Sequence, residues 1–183
     1  LALSDSSVDS LTQITLGAAV GEATLGRRVG NKAALWGAAF GTLPDLDVII
    51  NPFVTEATSL AFHRGLSHSF FIAIVAAPLL AWLLSRLHGE DDVTWRAWTP
   101  LVLLVLVTHI ILDTLTSYGT QVFAPFSDLR AAVPSIFIID PVYTVPLAAG
   151  LLIGFRWQHD HRLRRRSNYI GLAISSAYLV LDR

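Results

Sequence analysis

Two long apolar segments, residues 66–87 and 100–115, restrict the fold of this chain more than any other feature. A helix needs about 20 mostly apolar residues to cross a bilayer, and the first segment reaches that length. Of the 183 residues, 53% are hydrophobic and 15% are charged, whereas soluble domains carry roughly 25% charged residues. The sequence therefore predicts an all-α, polytopic membrane protein.

We expect two short N-terminal helices followed by about four longer membrane helices. Asp9 or Ser10 is suited to cap the first helix. The second helix is expected to end before Pro44, because a proline disfavours helical backbone in the residue that precedes it. The longer helices are expected over residues 66–87, 100–115, 143–155 and 169–181.

The two ends of the chain differ in composition from the rest. Residues 1–7 are expected to be a tag remnant or a processed end, since they lack the basic and apolar regions of a signal peptide. Residues 8–183 are then predicted to form a single helical membrane domain. The chain stops directly after the apolar residues 179–181, which indicates a truncation inside or just after a last helix.

Histidine and aspartate residues interrupt these apolar segments, where an uncompensated polar group is costly. His109 and Asp113 are four residues apart on one predicted helix and therefore share a face. His63 and His68 lie on either side of Gly65, which allows one histidine to precede a turn and the other to begin the next helix. A bound metal cation is the most economical compensation for this set of side chains.

Two aspartates, Asp45 and Asp47, follow the second predicted helix directly. In an extended segment, residues two apart point to the same side, so these carboxylates converge; ordinary turn aspartates in a solvated loop are the alternative. The chain has no cysteine, so a metal site must use His, Asp and Glu, which favours zinc, manganese, iron or magnesium. The predicted metal ligands are Asp45, Asp47, His63, His68, His109 and Asp113.

Basic residues predict the orientation of the helices in the membrane. Residues 156–166 contain five arginines and are expected to form a cytoplasmic loop. Alternation from that loop also places the basic turn of Arg27, Arg28 and Lys32 inside. The same alternation, which uses only basic residues, puts the predicted ligands together at the outer end. We therefore expect one site on the periplasmic side of a multi-pass inner-membrane protein.

Further polar residues are candidates for the same site. Glu22 interrupts the first predicted helix and is either an interfacial carboxylate near the basic turn or a part of the site. Four others lie where they are able to orient the imidazoles through hydrogen bonds: Ser67, Ser69, Tyr118 and Asp140.

Three motifs follow one another along the chain: GTLPDLD at residues 41–47, HRGLSHS at 63–69 and HIILDTLT at 109–116. In this order they resemble the YdjM-like family of inner-membrane proteins, described as metal-dependent hydrolases. The resemblance covers roughly residues 9–125 and implies a metal-dependent hydrolase. Where many members have a histidine in the first helix, this chain has Gln13, whose carbonyl would bind a metal weakly or hold a water molecule.

The leading interpretation is a membrane-bound hydrolase of phosphoester bonds that uses a divalent metal, with zinc favoured over manganese or magnesium. Arg64, Asp45 and His63 are assigned to catalysis, Arg64 through a bidentate contact with a phosphoryl oxygen. A site at the interface favours a lipid or lipid-linked substrate. Membrane lipids are the expected partners, and no nucleic acid is expected.

Two other classes of protein remain open. A cation or proton transporter also places His and Asp inside a membrane, but the inner halves of segments 66–87 and 98–117 lack the polar groups of an ion path. A non-catalytic scaffold would use the metal only to hold helices together. A closed, fully ligated site would favour the scaffold, and an open coordination position would favour the enzyme.

Overall fold

The computed structural model describes residues 2–46, 65–89, 92–116, 119–133, 140–157 and 160–181. Within these ranges the protein has no β-strand, and the prediction of an all-α chain is confirmed. A 3-10 turn, Leu66–His68, precedes the third of six α-helices. The helices are α1 (Ala2–Val29), α2 (Asn31–Thr42), α3 (Phe70–Leu87), α4 (Trp95–Thr114), α5 (Pro141–Arg156) and α6 (His161–Leu181).

Helix α1 differs from the prediction at its beginning. It has 28 residues and begins at Ala2, so the expectation of a short first helix capped by Asp9 or Ser10 is wrong. Residues 2–10 contain neither glycine nor proline, so nothing in their sequence interrupts a helix. Helix α2 ends at Thr42, ahead of Pro44, as predicted.

Helix α6 begins earlier than expected, at His161. The Asp160 carboxylate accepts hydrogen bonds from the backbone amides of Arg162 and Leu163 and so caps this helix. Most of the basic segment 156–166 therefore lies in the first turns of a helix, and the prediction of a loop is wrong there.

Two helices in the described ranges, α3 and α4, are long and apolar enough to cross a membrane. Helix α5 is apolar but has 16 residues. Helix α6 has 21 residues, but four arginines fall in its first six positions. Two of the four expected membrane helices thus meet the criteria of length and composition.

Glycines bring α1 and α2 into close contact. Gly17 and Gly21 of α1 face α2 so closely that a Cβ atom at either position would overlap a carbonyl oxygen of α2. A Cβ atom at Gly37 would overlap the carbonyl oxygen of Gly17 in the same way. Small residues allow two backbones to approach in a membrane. At the far end of this contact, Gly41 packs directly against the backbone of Gln13. This contact fixes the register of the two helices.

The bundle has two chemically different ends. Helix α1 is central and contacts α2, α4, α5 and α6, while α3 pairs with α4 and α5 with α6. One end, here called the basic end, joins the C-termini of α1, α3 and α5 to the N-termini of α2, α4 and α6. It holds ten of the 13 lysine and arginine residues: Arg27, Arg28, Lys32, Arg86, Arg96, Arg156, Arg162, Arg164, Arg165 and Arg166. The opposite end is called the cluster end.

Candidate metal centre

Four predicted ligands meet at the cluster end. Asp45 follows α2, His68 precedes α3, and His109 and Asp113 lie in the last turns of α4. Each offers one ligand atom, and the four atoms all lie within 4.8 Å of one another. His68 Nε2 is 3.0 Å from Asp113 Oδ2 and 3.1 Å from His109 Nε2. Asp45 Oδ1 is 3.3 Å from His68 Nε2 and 3.5 Å from His109 Nε2.

These distances fit a divalent cation. A tetrahedral zinc ion with ligand distances of about 2.0–2.1 Å keeps its ligand atoms roughly 3.3 Å apart. Five of the six separations between the ligand atoms run from 3.0 Å to 3.7 Å, and all six are within 4.8 Å. Two imidazole nitrogens and two carboxylate oxygens form a donor set that suits zinc and also accommodates manganese. The residues present therefore match the group that the motifs imply.

Both imidazoles are oriented through the ring nitrogen that points away from the cluster. His109 Nδ1 donates to the carbonyl oxygen of Gly41 at 2.7 Å, which leaves Nε2 free to act as a ligand. His68 Nδ1 lies 2.9 Å from Ser67 Oγ. Such partners fix the tautomer and the direction of a metal-binding histidine.

Helix α1 reaches the cluster through Gln13, which is 2% exposed. The Gln13 Nε2 amide donates to Asp113 Oδ1 at 2.9 Å, so that Asp113 presents its other oxygen, Oδ2, to His68. Among the described residues, the Gln13 Oε1 carbonyl oxygen has no hydrogen-bond partner. Gln13 thus positions the Asp113 carboxylate, and its own Oε1 atom is a buried acceptor beside that carboxylate.

Replacing Gln13 with alanine is expected to weaken zinc affinity by about 10–100-fold, because Asp113 loses the hydrogen bond that directs its carboxylate. Competition with a fluorescent zinc chelator measures this affinity. The control is Thr12→Val at the neighbouring position, where the hydroxyl bonds to Thr144 and not to the cluster. Equal affinities in Gln13→Ala and the unmodified protein would contradict the positioning role.

The carboxylates control the charge of the cluster. Burial lowers the pKa of His68, but hydrogen bonds and attraction from Asp113 and Asp45 outweigh it and raise that pKa to about 9. Burial also opposes ionisation of Asp45, yet its contacts with His109 and His68 hold the pKa of this carboxyl well below its usual range. Near neutral pH the cluster therefore holds a proton, which a cation displaces when it binds.

The cluster is open on one side. The His68, His109 and Asp113 side chains are at most 3% exposed, whereas that of Asp45 is 25% exposed. Of the four side chains of the cluster, Asp45 is therefore the one that solvent reaches.

The remaining predicted site residues fall into two groups. Ser69, Asp140 and Glu22 are described but do not meet the cluster. Ser69 caps α3 and donates to the carbonyl oxygen of Ala124, and Asp140 caps α5 and accepts from Tyr178. The other group lies outside the described residues: Asp47, His63, Arg64 and Tyr118.

Glu22 serves a different contact on α1. It lies nine residues beyond Gln13, or about 14 Å along the helix axis. Its carboxylate accepts two hydrogen bonds from Arg164, Nε to Oε1 at 2.7 Å and Nη2 to Oε2 at 2.6 Å. Both side chains are 6% exposed. The partner of Glu22 is thus an arginine of α6, not the basic turn of Arg27 and Arg28.

Comparisons with known proteins identify the family. Residues 8–183 match the YdjM inner membrane protein family. The chain belongs to this family. The resemblance of the three motifs to YdjM-like proteins is thereby confirmed, and so is the assignment to an inner-membrane family.

One relative of this YdjM family member is a Bacillus subtilis (strain 168) protein described as "Uncharacterized protein YfhP". The two are 29% identical over 157 residues, which covers 81% of this chain and 46% of the relative. The chain therefore spans about half the length of that relative. No solved structure matches the chain.

Proposed function

We propose that this YdjM family member is a membrane-bound, metal-dependent hydrolase of phosphoester bonds in a lipid or lipid-linked substrate. The observation that carries the proposal is the convergence of four ligand atoms within 4.8 Å, at a site that is open on the side of Asp45. A catalytic metal keeps a position for water or substrate beside its protein ligands. With four protein ligands that position requires a five-coordinate zinc or a six-coordinate manganese, and the partly exposed side of Asp45 is where it would lie.

When bound, a divalent cation polarises a phosphoryl oxygen and makes a water molecule more acidic. The chain supplies the arrangement around it. Gly41 and Ser67 direct the two imidazoles, and Gln13 directs Asp113, so these ligands need little reorganisation when a cation or substrate arrives. Asp45 lies on the open side, where a substrate enters.

The catalytic assignments at His63 and Arg64 lie outside the described residues. His63, together with Asp45, remains proposed as a catalytic residue. Arg64 is proposed to hold a phosphoryl oxygen through a bidentate contact. Asp47 and His63 also remain proposed as ligands of the same or a second cation.

The periplasmic location of the site is also a proposal. Lysine and arginine accumulate in the cytoplasmic segments of membrane proteins, and ten such residues lie at the basic end. The cluster lies at the opposite end. This arrangement supports a site that faces the periplasm.

The test of this function is phosphate release from phospholipids and lipid-linked phosphates by the zinc- or manganese-loaded protein in nanodiscs. We expect turnover that is lost with EDTA and in His109→Ala. The matched control is His161→Ala, which removes an exposed histidine at the basic end and should retain full activity. Absence of phosphate release by the metal-loaded, unmodified protein across the panel would refute the proposed reaction.

The alternatives find less support. In the described ranges, the buried charged groups away from the cluster are Glu22, Arg164 and Asp140. Glu22 and Arg164 neutralise each other and Asp140 caps α5, so these groups do not form a path for ions. Four protein ligands would fill a tetrahedral shell, as in a metal that only holds helices together, but the 25% exposure of the Asp45 side chain favours catalysis, because water or substrate reaches the cluster there. A catalytic site remains the better account of both observations.

A further inference from the structure

The segment between α4 and α5 carries an exposed apolar surface beside the cluster. Phe123, Phe126 and Leu129 are 54%, 76% and 64% exposed, whereas Val122 and Ala124 point inward and are at most 5% exposed. Large apolar side chains grouped at such exposure mark a surface that contacts another apolar phase. We call residues 122–129 the apolar loop.

The apolar loop is attached to the N-terminus of α3. The Ser69 hydroxyl donates to the carbonyl oxygen of Ala124 at 2.5 Å, and the backbone amide of Phe70 donates to the carbonyl oxygen of Val122 at 3.1 Å. Ser69 directly follows the ligand His68. The loop is therefore bonded to the two residues that directly follow His68 of the cluster.

The surface of the loop continues into the outward face of α3. The Phe126 ring lies edge-on against Phe71, with ring centroids 5.1 Å apart. From Phe71, which is 45% exposed, this face continues through Ile74, Val75 and Leu79, which are 56–61% exposed. Helix α3 is apolar enough to span a membrane and has only 22% of its length buried in the bundle. In an inner-membrane protein, lipid is what covers such a face.

We propose that the apolar loop is a membrane anchor, inserted among the lipids of the leaflet at the cluster end and continuous with the lipid-facing side of α3. Interfacial segments of this kind bury Phe and Leu side chains at the boundary between headgroups and acyl chains, with charged residues on the water side. The exposed Asp128 and Arg130 supply that polar side. The anchor goes beyond the proposed function, because it does not depend on any hydrolytic activity.

The anchor sets the depth of the metal centre. His68 precedes Phe71 by three residues, so their Cα atoms are separated by at most about 11 Å. The cluster then lies at the level of the lipid headgroups. One consequence rests on the proposed function. At this depth, the phosphoester of a lipid headgroup reaches the cluster while the acyl chains of that lipid stay in the bilayer.

Spin labelling tests the anchor without interference, because the chain has no cysteine of its own. Phe126→Cys, Asp128→Cys and Ile74→Cys are each labelled in the full chain, in nanodiscs of phosphatidylethanolamine and phosphatidylglycerol. Power saturation compares collisions with oxygen, which concentrates in lipid, and with a water-soluble nickel chelate. We expect residue 126 to match the lipid reference at residue 74, with oxygen collisions severalfold favoured, and residue 128 to favour nickel.

A label at residue 126 that collides more often with the nickel chelate than with oxygen would overturn the anchor. If Phe126→Cys does not yield folded protein, Phe123→Cys takes its place under the same criterion. The result is separable from the hydrolase proposal: failure of the phosphate-release assay leaves the labelling result intact, and a water-exposed label leaves the enzymatic assay intact.

Discussion

Substituting His68 with alanine or Asp113 with asparagine is expected to reduce bound zinc from about one ion per chain to background. Each side chain supplies one of the four ligand atoms that converge within 4.8 Å. Removing a ligand leaves an incomplete coordination shell in a buried site. The loss should exceed the roughly 10–100-fold loss of affinity that follows when a residue only orients a ligand. Mass spectrometry of the detergent-purified protein, after loading with zinc or manganese, measures the metal content.

The chain provides matched controls for both substitutions. Asp140→Asn makes the same chemical change as Asp113→Asn, at a buried carboxylate that caps α5, and asparagine retains the ability to cap. His161→Ala removes a histidine at the basic end. Both controls should keep the full metal content. A protein that holds no metal after loading, or ligand variants that keep it, would contradict the metal centre.

The residues of the cluster could be predicted from sequence as candidate ligands because their constraints are local. His109 and Asp113 share a helix face by spacing alone, and His68 borders a long apolar segment in which a bare imidazole is costly. The groups that orient these side chains come from residues that are distant in sequence. The bonds from Gly41 to His109 and from Gln13 to Asp113 require the register that glycines impose on α1 and α2, and single-sequence patterns do not contain that register.

The prediction for the basic segment was wrong for a different reason. A run of arginines is typical of cytoplasmic loops, and this charge pattern masks the helical periodicity of the segment. Spacing carries the correct signal: Arg164, Asn168, Gly171 and Ser175 recur at helical intervals, and all four are buried. That face packs on α1 and α5: Asn168 Nδ2 donates to the carbonyl oxygen of Ala19, and Ser175 Oγ donates to the carbonyl oxygen of Tyr143. A buried arginine on such a face requires an acidic partner, which is Glu22.

Breaking this pair is expected to destabilise the protein strongly. Glu22→Leu or Arg164→Met alone leaves a buried, uncompensated charge, and such losses cost about 3–5 kcal/mol. The Arg164 guanidinium also lies 5.6 Å from the centre of the Phe155 ring, so Arg164→Met removes that contact as well. Unfolding in mixed micelles with increasing SDS measures the free energy of unfolding of each variant.

The double variant Glu22→Leu with Arg164→Met distinguishes a missing charge partner from a missing contact. Replacing both members of a buried ion pair with apolar residues of similar size is often nearly neutral, so the double variant should be more stable than either single variant. A double-mutant cycle then measures the coupling energy between the two side chains directly. Additive losses would show that the two side chains act separately. Metal content should stay unchanged in the folded double variant, since Glu22 lies about 14 Å from Gln13 along α1, and zinc loss there would instead return Glu22 to the metal centre.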